Sequence, residues 1–134
     1  MFIHETKLRV RYAETDQMRY VYYGVYATYF EVARVEALRS LNCSYKDLED
    51  SGILMPVRRF EINYNKPAFY DEELLIRTCI PTLPVSRILF TYETFNTQNE
   101  HLNTASTELV FVSAQTSKPV RMPSILGAVL EKYF

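Results

Sequence analysis

A chain of 134 residues, 48% of them apolar, suits one folded domain with a substantial core and is too apolar to stay disordered. Its 15 basic and 16 acidic side chains leave a formal charge of −1. That balance argues against a nucleic-acid or membrane-surface protein, whose binding face carries net positive charge.

The elements read in chain order as follows. Residues 5–12 alternate, with Thr6, Leu8, Val10 and Tyr12 against Lys7, Arg9 and Arg11, the pattern of a half-buried strand. Residues 13–21 have no period and read as a loop. From Tyr22 to Leu41, apolar side chains recur at helical spacing: Tyr26, Tyr29, Phe30, Ala33, Ala37, Leu38 and Leu41. This predicts a helix of about five turns with a wide apolar face. Tyrosine and phenylalanine are poor helix formers, so packing must hold it. Ser44 is placed to cap a short helix that Gly52 ends.

Four strand-like stretches follow. Phe60, Ile62 and Tyr64 alternate with polar residues; so do Leu74, Ile76, Thr78 and Ile80; then Ile88, Phe90, Tyr92 and Thr94; then Ala105, Thr107, Leu109 and Phe111. The breaks at 67–71, 83–84 and 96–103 are short and predict antiparallel hairpins in a row. The tail from Met122 reads as a short helix weakened by Gly127. A helix this apolar and a sheet with one apolar face need each other. The expected fold is α+β: one domain over residues 1–134, with a curved antiparallel sheet wrapped around the long helix.

Cys43 and Cys79 form no CxxC and join no Cys/His cluster, so they read as idle thiols, in keeping with a reducing cytoplasm. Residues 1–10 run straight into alternation, and no apolar run reaches membrane-spanning length. The expectation is no signal peptide, no membrane insertion and no metal. No G-x-S-x-G or glycine-rich phosphate loop occurs, and neither His4 nor His101 sits where a catalytic histidine belongs.

The loop before the long helix holds Glu14, Thr15 and Asp16. The plain reading of Thr15 and Asp16 is turn formation through bonds to nearby backbone, and Glu14 reads as structural or solvated. The chemical reading uses the unpaired N–H groups at a helix start. A carboxylate folded back beside them pairs a base or nucleophile with oxyanion donors.

The segment RVRYAETDQMRYVYYGVYATYFEVARVEALR, residues 9–39, resembles the hotdog-fold acyl-CoA thioesterases of the 4-hydroxybenzoyl-CoA and YbgC-like group. The family pattern is a strand with a basic and aromatic end, then T-D, then a G-x-V-Y…Y…E-x-A-R entry into the central helix. The pieces FEINYNKPAFYDEELLIRT and SKPVRMP follow in the family's order. The resemblance implies that Asp16 attacks the thioester carbonyl or activates water. Many YbgC-like members carry histidine where this chain has Tyr23; because the carbonyl-polarising group at that place is a backbone N–H, the role passes to the Tyr23 amide. The family glycine three residues after the aspartate is replaced by Arg19, which puts the loop geometry in question and could itself reach an acyl or phosphate anion.

The resemblance further implies an acyl pocket walled in part by the aromatic helix start, Tyr22 and Tyr26, and basic side chains for the coenzyme A phosphates. Arg59, Lys66, Arg87, Lys118 and Arg121 lie in or beside strand ends, and Lys66 and Arg87 are singled out. It implies no cofactor, coenzyme A being part of the substrate, and a homodimer or homotetramer with a shared pocket. The alternatives are a hotdog protein that binds acyl-CoA without hydrolysing it, for which Arg19 speaks, and a thioesterase acting on acyl carrier protein thioesters.

Overall fold

The computed structural model describes all 134 residues. Strand β1 is Phe2–Arg9, helix α1 Val25–Ser40 and helix α2 Tyr45–Asp50. Strands β2 (Ile53–Leu54), β3 (Val57–Tyr64), β4 (Glu73–Ile80), β5 (Arg87–Phe95), β6 (His101–Val110) and β7 (Val112–Ser113) follow, then helix α3 (Ser124–Leu130). Five strands form one antiparallel sheet in the order β1-β4-β5-β6-β3, and β2 pairs with β7 in a small second sheet.

The interior strands obey their alternation. Leu74, Ile76, Thr78 and Ile80 of β4, and Ile88, Phe90, Tyr92 and Thr94 of β5, are all fully buried on one face. Helix α1 lies on that face. It buries Tyr26, Tyr29, Phe30, Ala33, Ala37 and Leu38, and Phe30 stacks on Tyr92 with ring centroids 4.5 Å apart. Burying a side chain such as Phe30 or Leu38 is worth about 2 kcal/mol against leaving it exposed, which offsets the poor helix propensity of the aromatic turns.

Four expectations change. Strand β1 starts at Phe2 and ends at Arg9, because Glu14 folds back onto the Arg11 amide and turns residues 12–14 into a single 3-10 turn. Helix α1 starts at Val25 rather than Tyr22, because Tyr22, Tyr23 and Gly24 form a turn in which the Val25 amide donates to the Tyr22 carbonyl. The last long strand stops at Val110, and residues 112–113 leave it to pair with β2.

The largest change is in strand pairing. β3 and β4 do not form a hairpin: β3 pairs with β6, while β4 lies between β1 and β5. The connection, residues 65–72, spends its backbone bonds elsewhere. The Asn65 and Lys66 amides donate to the Leu102 carbonyl, the Val21 amide donates to the Ala68 carbonyl, and the Asp71 amide donates to the Val10 carbonyl. The segment is thereby tied to β6 at one end and to the loop before α1 at the other. It leaves β3 as a largely exposed edge strand despite its alternating sequence.

Candidate active site

The loop between β1 and α1 is built on Glu14. This carboxylate is 8% exposed and accepts hydrogen bonds from the Arg11 amide (2.8 Å), Arg11 Nε (3.1 Å), Arg11 Nη2 (2.8 Å) and the buried Tyr29 hydroxyl (2.8 Å). Burial pushes the Glu14 carboxyl up, but the Arg11 and Tyr29 hydrogen bonds outweigh it and hold the group below its ordinary value. Burial and the same carboxylate raise the Tyr29 hydroxyl. Glu14 is thus structural, and it fixes where the next turn begins.

That turn closes through the antiparallel bridge between Thr15 and Val21. The Asp16 amide donates to the Tyr20 carbonyl and the Arg19 amide to the Asp16 carbonyl, both at 2.9 Å. Asp16 Oδ1 accepts from the Met18 amide (2.8 Å) and the Tyr20 amide (3.3 Å). One carboxylate oxygen therefore does the turn-forming work; Oδ2 has no partner in the protein. Arg19 has φ +66°, the left-handed region that glycine enters freely. The arginine thus adopts a backbone conformation of the kind a glycine would supply, at a steric cost.

At the start of α1 the Val25 and Tyr26 amides donate back to the Tyr22 and Tyr23 carbonyls, and no side chain caps the helix. The Tyr23 and Gly24 amides have no acceptor. Asp16 and Tyr23 both line a cleft of about 290 Å³, together with Tyr26, Tyr64 and Lys66. The arrangement sets Asp16, with one unpaired carboxylate oxygen, and Tyr23, with an unpaired N–H, at one cavity.

The chain matches the thioesterase-like superfamily over residues 10–130. It is 32% identical over 121 residues to the acyl-CoA thioester hydrolase YbgC of Escherichia coli, covering 90% of each chain. Its fold superposes on a DHNA-CoA thioesterase from Staphylococcus aureus with a TM-score of 0.91 and 39% identity, covering 99% of this chain and 89% of the other. The chain belongs to the thioesterase-like superfamily. A 4-hydroxybenzoyl-CoA thioesterase superposes with a TM-score of 0.86 at 15% identity, over 96% of this chain and 99% of the other, and that likeness concerns the fold alone. The expected α+β hotdog architecture is the one these thioesterases share.

In this thioesterase-like chain the remaining candidates separate. Tyr26 is buried at the cleft wall, whereas Tyr22 is exposed and packs on Tyr23 at 4.6 Å without lining the cleft. Lys66 lines the cleft, and its ammonium pairs with Glu100. Arg19 lies in an adjoining groove with Tyr12, Phe69 and Tyr70, on the other side of Asp16. Arg87 lies outside the cleft and shares Glu108 with Arg58, at 3.2 and 2.8 Å. Neither histidine lines the cleft, and no three His, Cys, Asp or Glu side chains stand together as a metal site. No helix is long and apolar enough to cross a membrane.

Sequence reasoning missed two contributors: the Glu14–Tyr29 anchor and Tyr64. The first had a signal in the spacing of Arg11 and Glu14, three residues apart on a single turn. Tyr64 had none, because it reaches the cleft only through the crossing of residues 65–72.

Proposed function

We propose that this chain hydrolyses acyl-CoA thioesters. The observation that carries the reading is the shared cleft, lined by Asp16 and by Tyr23, whose amide is unpaired; its likeness to YbgC, an acyl-CoA thioester hydrolase, supports it.

The thioester carbonyl oxygen accepts from the Tyr23 amide, which stabilises the negative charge it acquires, a donor of this kind being worth about 3 kcal/mol. Asp16 Oδ2 attacks the carbonyl carbon. The tetrahedral intermediate collapses with loss of coenzyme A thiolate, and water then opens the mixed anhydride to give the free acid and regenerate the carboxylate. In the general-base variant, Asp16 instead takes a proton from the attacking water. Both routes consume one water and release one thiol. Neither needs a cofactor, and coenzyme A enters as part of the substrate. Lys66, in the cleft lining, is the basic group offered to the coenzyme A phosphates, with Arg19 in the adjoining groove as a second.

Copies of the chain assemble, as homodimer or homotetramer. The support is β3, an edge strand that exposes Val57, Phe60 and, at the cleft, Tyr64. The free thiols of Cys43 and Cys79 fit a cytoplasmic setting.

The test is thiol release from a panel of short, long and aromatic acyl-CoAs, with acyl carrier protein thioesters alongside. Turnover of acyl-CoAs is expected. Tight binding with no thiol released from any member would show a binding protein instead. Sedimentation as a monomer at micromolar concentration would count against pairing.

A further inference from the structure

Two charged side chains are buried, Glu14 and Arg34. Glu14 has Arg11 against it, whereas Arg34, 6% exposed, has no carboxylate. Its Nε donates to the Tyr45 hydroxyl at 2.9 Å. The Tyr92 hydroxyl, held by Thr107 Oγ1 at 2.6 Å, lies alongside. These neutral hydroxyls orient the guanidinium but cancel none of its charge, and they leave most of its five N–H donors unused. A cation taken out of water is costly unless an anion compensates it, so buried charges in folded proteins are paired. Arg34 lacks an acid.

Glu31, three residues earlier on α1, lacks a base. It is exposed and forms no ion pair, although Glu36 and Arg39, equally spaced on the same helix, do pair. Burial raises the Tyr45 hydroxyl, Arg34 lowers it and Glu31 raises it further, so both charges lie near that ring on one flank of α1. The flank continues into the β3 edge. Phe60 meets Phe30 edge-on with centroids 6.1 Å apart, and the Tyr64 hydroxyl donates to the Tyr23 carbonyl at 3.4 Å, so β3 runs along this side of the helix. Phe60 lies opposite Thr107 in the sheet register, which sets Arg34 and Tyr92 just behind this edge. Phe60, Tyr64, Ala27 and Glu31 are all exposed along it.

A surface with one uncompensated cation and, about one turn away, one free anion is complementary to a copy of itself. Under a twofold axis, residue i meets residue j and j meets i, so two copies of this flank close two ion pairs at once. We propose that the flank of α1 seats on the same flank of a second copy, with Glu31 of each chain on Arg34 of the other. The inference rests on the assembly reading above and names the contact that holds it. The exposed rings of Phe60 and Tyr64 border the pairs and shield them from water, the setting in which an interfacial ion pair contributes most.

The experiment is sedimentation across a concentration series for the wild type, Glu31→Lys, Arg34→Glu and an equal mixture of the two variants. Glu31 is solvated in the single chain, so Glu31→Lys probes the contact without disturbing the core. It sets a lysine against each Arg34, and the dissociation constant is expected to rise at least about 100-fold. In the mixture, the new lysine of one chain meets the new glutamate of the other, and the untouched Arg34 meets the untouched Glu31. Dissociation should then return to within about tenfold of the wild type. Within each variant chain the two charges stay alike, so an ion pair inside one helix cannot produce that recovery. If circular dichroism shows Arg34→Glu unfolded, Arg34→Gln replaces it in the mixture and should recover at least about tenfold over Glu31→Lys alone. An assembly that Glu31→Lys does not weaken overturns the proposal, as does a mixture no tighter than its components. A wild type that stays monomeric at micromolar concentration overturns the assembly reading with it, and thiol release by that monomer would leave the hydrolase reading standing.

Discussion

The Glu14–Tyr29 pair is the sharpest test of how the loop that carries Asp16 is held. Glu14→Ala removes an acceptor from the Tyr29 hydroxyl, which is 3% exposed, and from the Arg11 amide. A hydroxyl left buried and unpaired costs about 1–3 kcal/mol, and a hydrogen bond to an ionised acceptor contributes about 1.5–3 kcal/mol. The Arg11 guanidinium is largely exposed, and solvent screens its share. The expected loss for Glu14→Ala is therefore about 3 kcal/mol. Tyr29→Phe removes the donor instead and should cost about 1 kcal/mol. In the double variant the orphaned hydroxyl is gone, so the two losses should fall short of additivity by about 1–2 kcal/mol. Urea denaturation measures this, as a shift in midpoint at constant slope. Additivity within about 0.3 kcal/mol would refute the argument that this bond anchors the loop. Because the Glu14 side chain ties the turn before Asp16 to Arg11 and to Tyr29 of α1, turnover by Glu14→Ala should also fall under conditions where the variant is fully folded.

The pH dependence follows from the same carboxylate. Its folded value is held below the ordinary 4.5, so its contribution is complete above that pH and is lost as pH falls through the lower folded value. Acid titration of stability should therefore be steeper below pH 4.5 in the wild type than in Glu14→Gln. Arg19→Gly should stabilise by about 1 kcal/mol or less, since relief of the left-handed strain is partly offset by glycine's backbone entropy; thermal denaturation reads it. Tyr23→Phe should keep kcat/KM within about twofold, because the proposed donor is the amide and not the hydroxyl. A large loss in that assay would implicate the ring oxygen instead.

Much of the fold was legible because interior strands and a core helix each show one buried face. The alternation of β4 and β5 and the spacing of Phe30, Ala33 and Ala37 follow directly from that constraint. Pairing was less legible. Alternation says which face of β3 is apolar, but not whether its neighbour is β4 or β6, and only the ties of residues 65–72 to Leu102, Val21 and Val10 decide it. At the site, the T-D pair stood out through the family resemblance, and the helix start was legible to within three residues, Tyr22 against Val25. Asn103 was read as the end of a loop, yet it lies within β6 with no exposure at all. Its signal was present: Asn103 stands in phase with Ala105, Thr107 and Leu109, a polar residue on a face that should be apolar.

Asp16 carries the proposed chemistry. Asp16→Asn retains an Oδ1 that can accept the Met18 and Tyr20 amides, so the turn should survive while the charge is lost. Thiol release from a turned-over acyl-CoA, measured on this variant with its fold verified, should fall at least about 100-fold in kcat. Hydrolysis at the wild-type rate would contradict the assignment of Asp16 and with it the proposed chemistry.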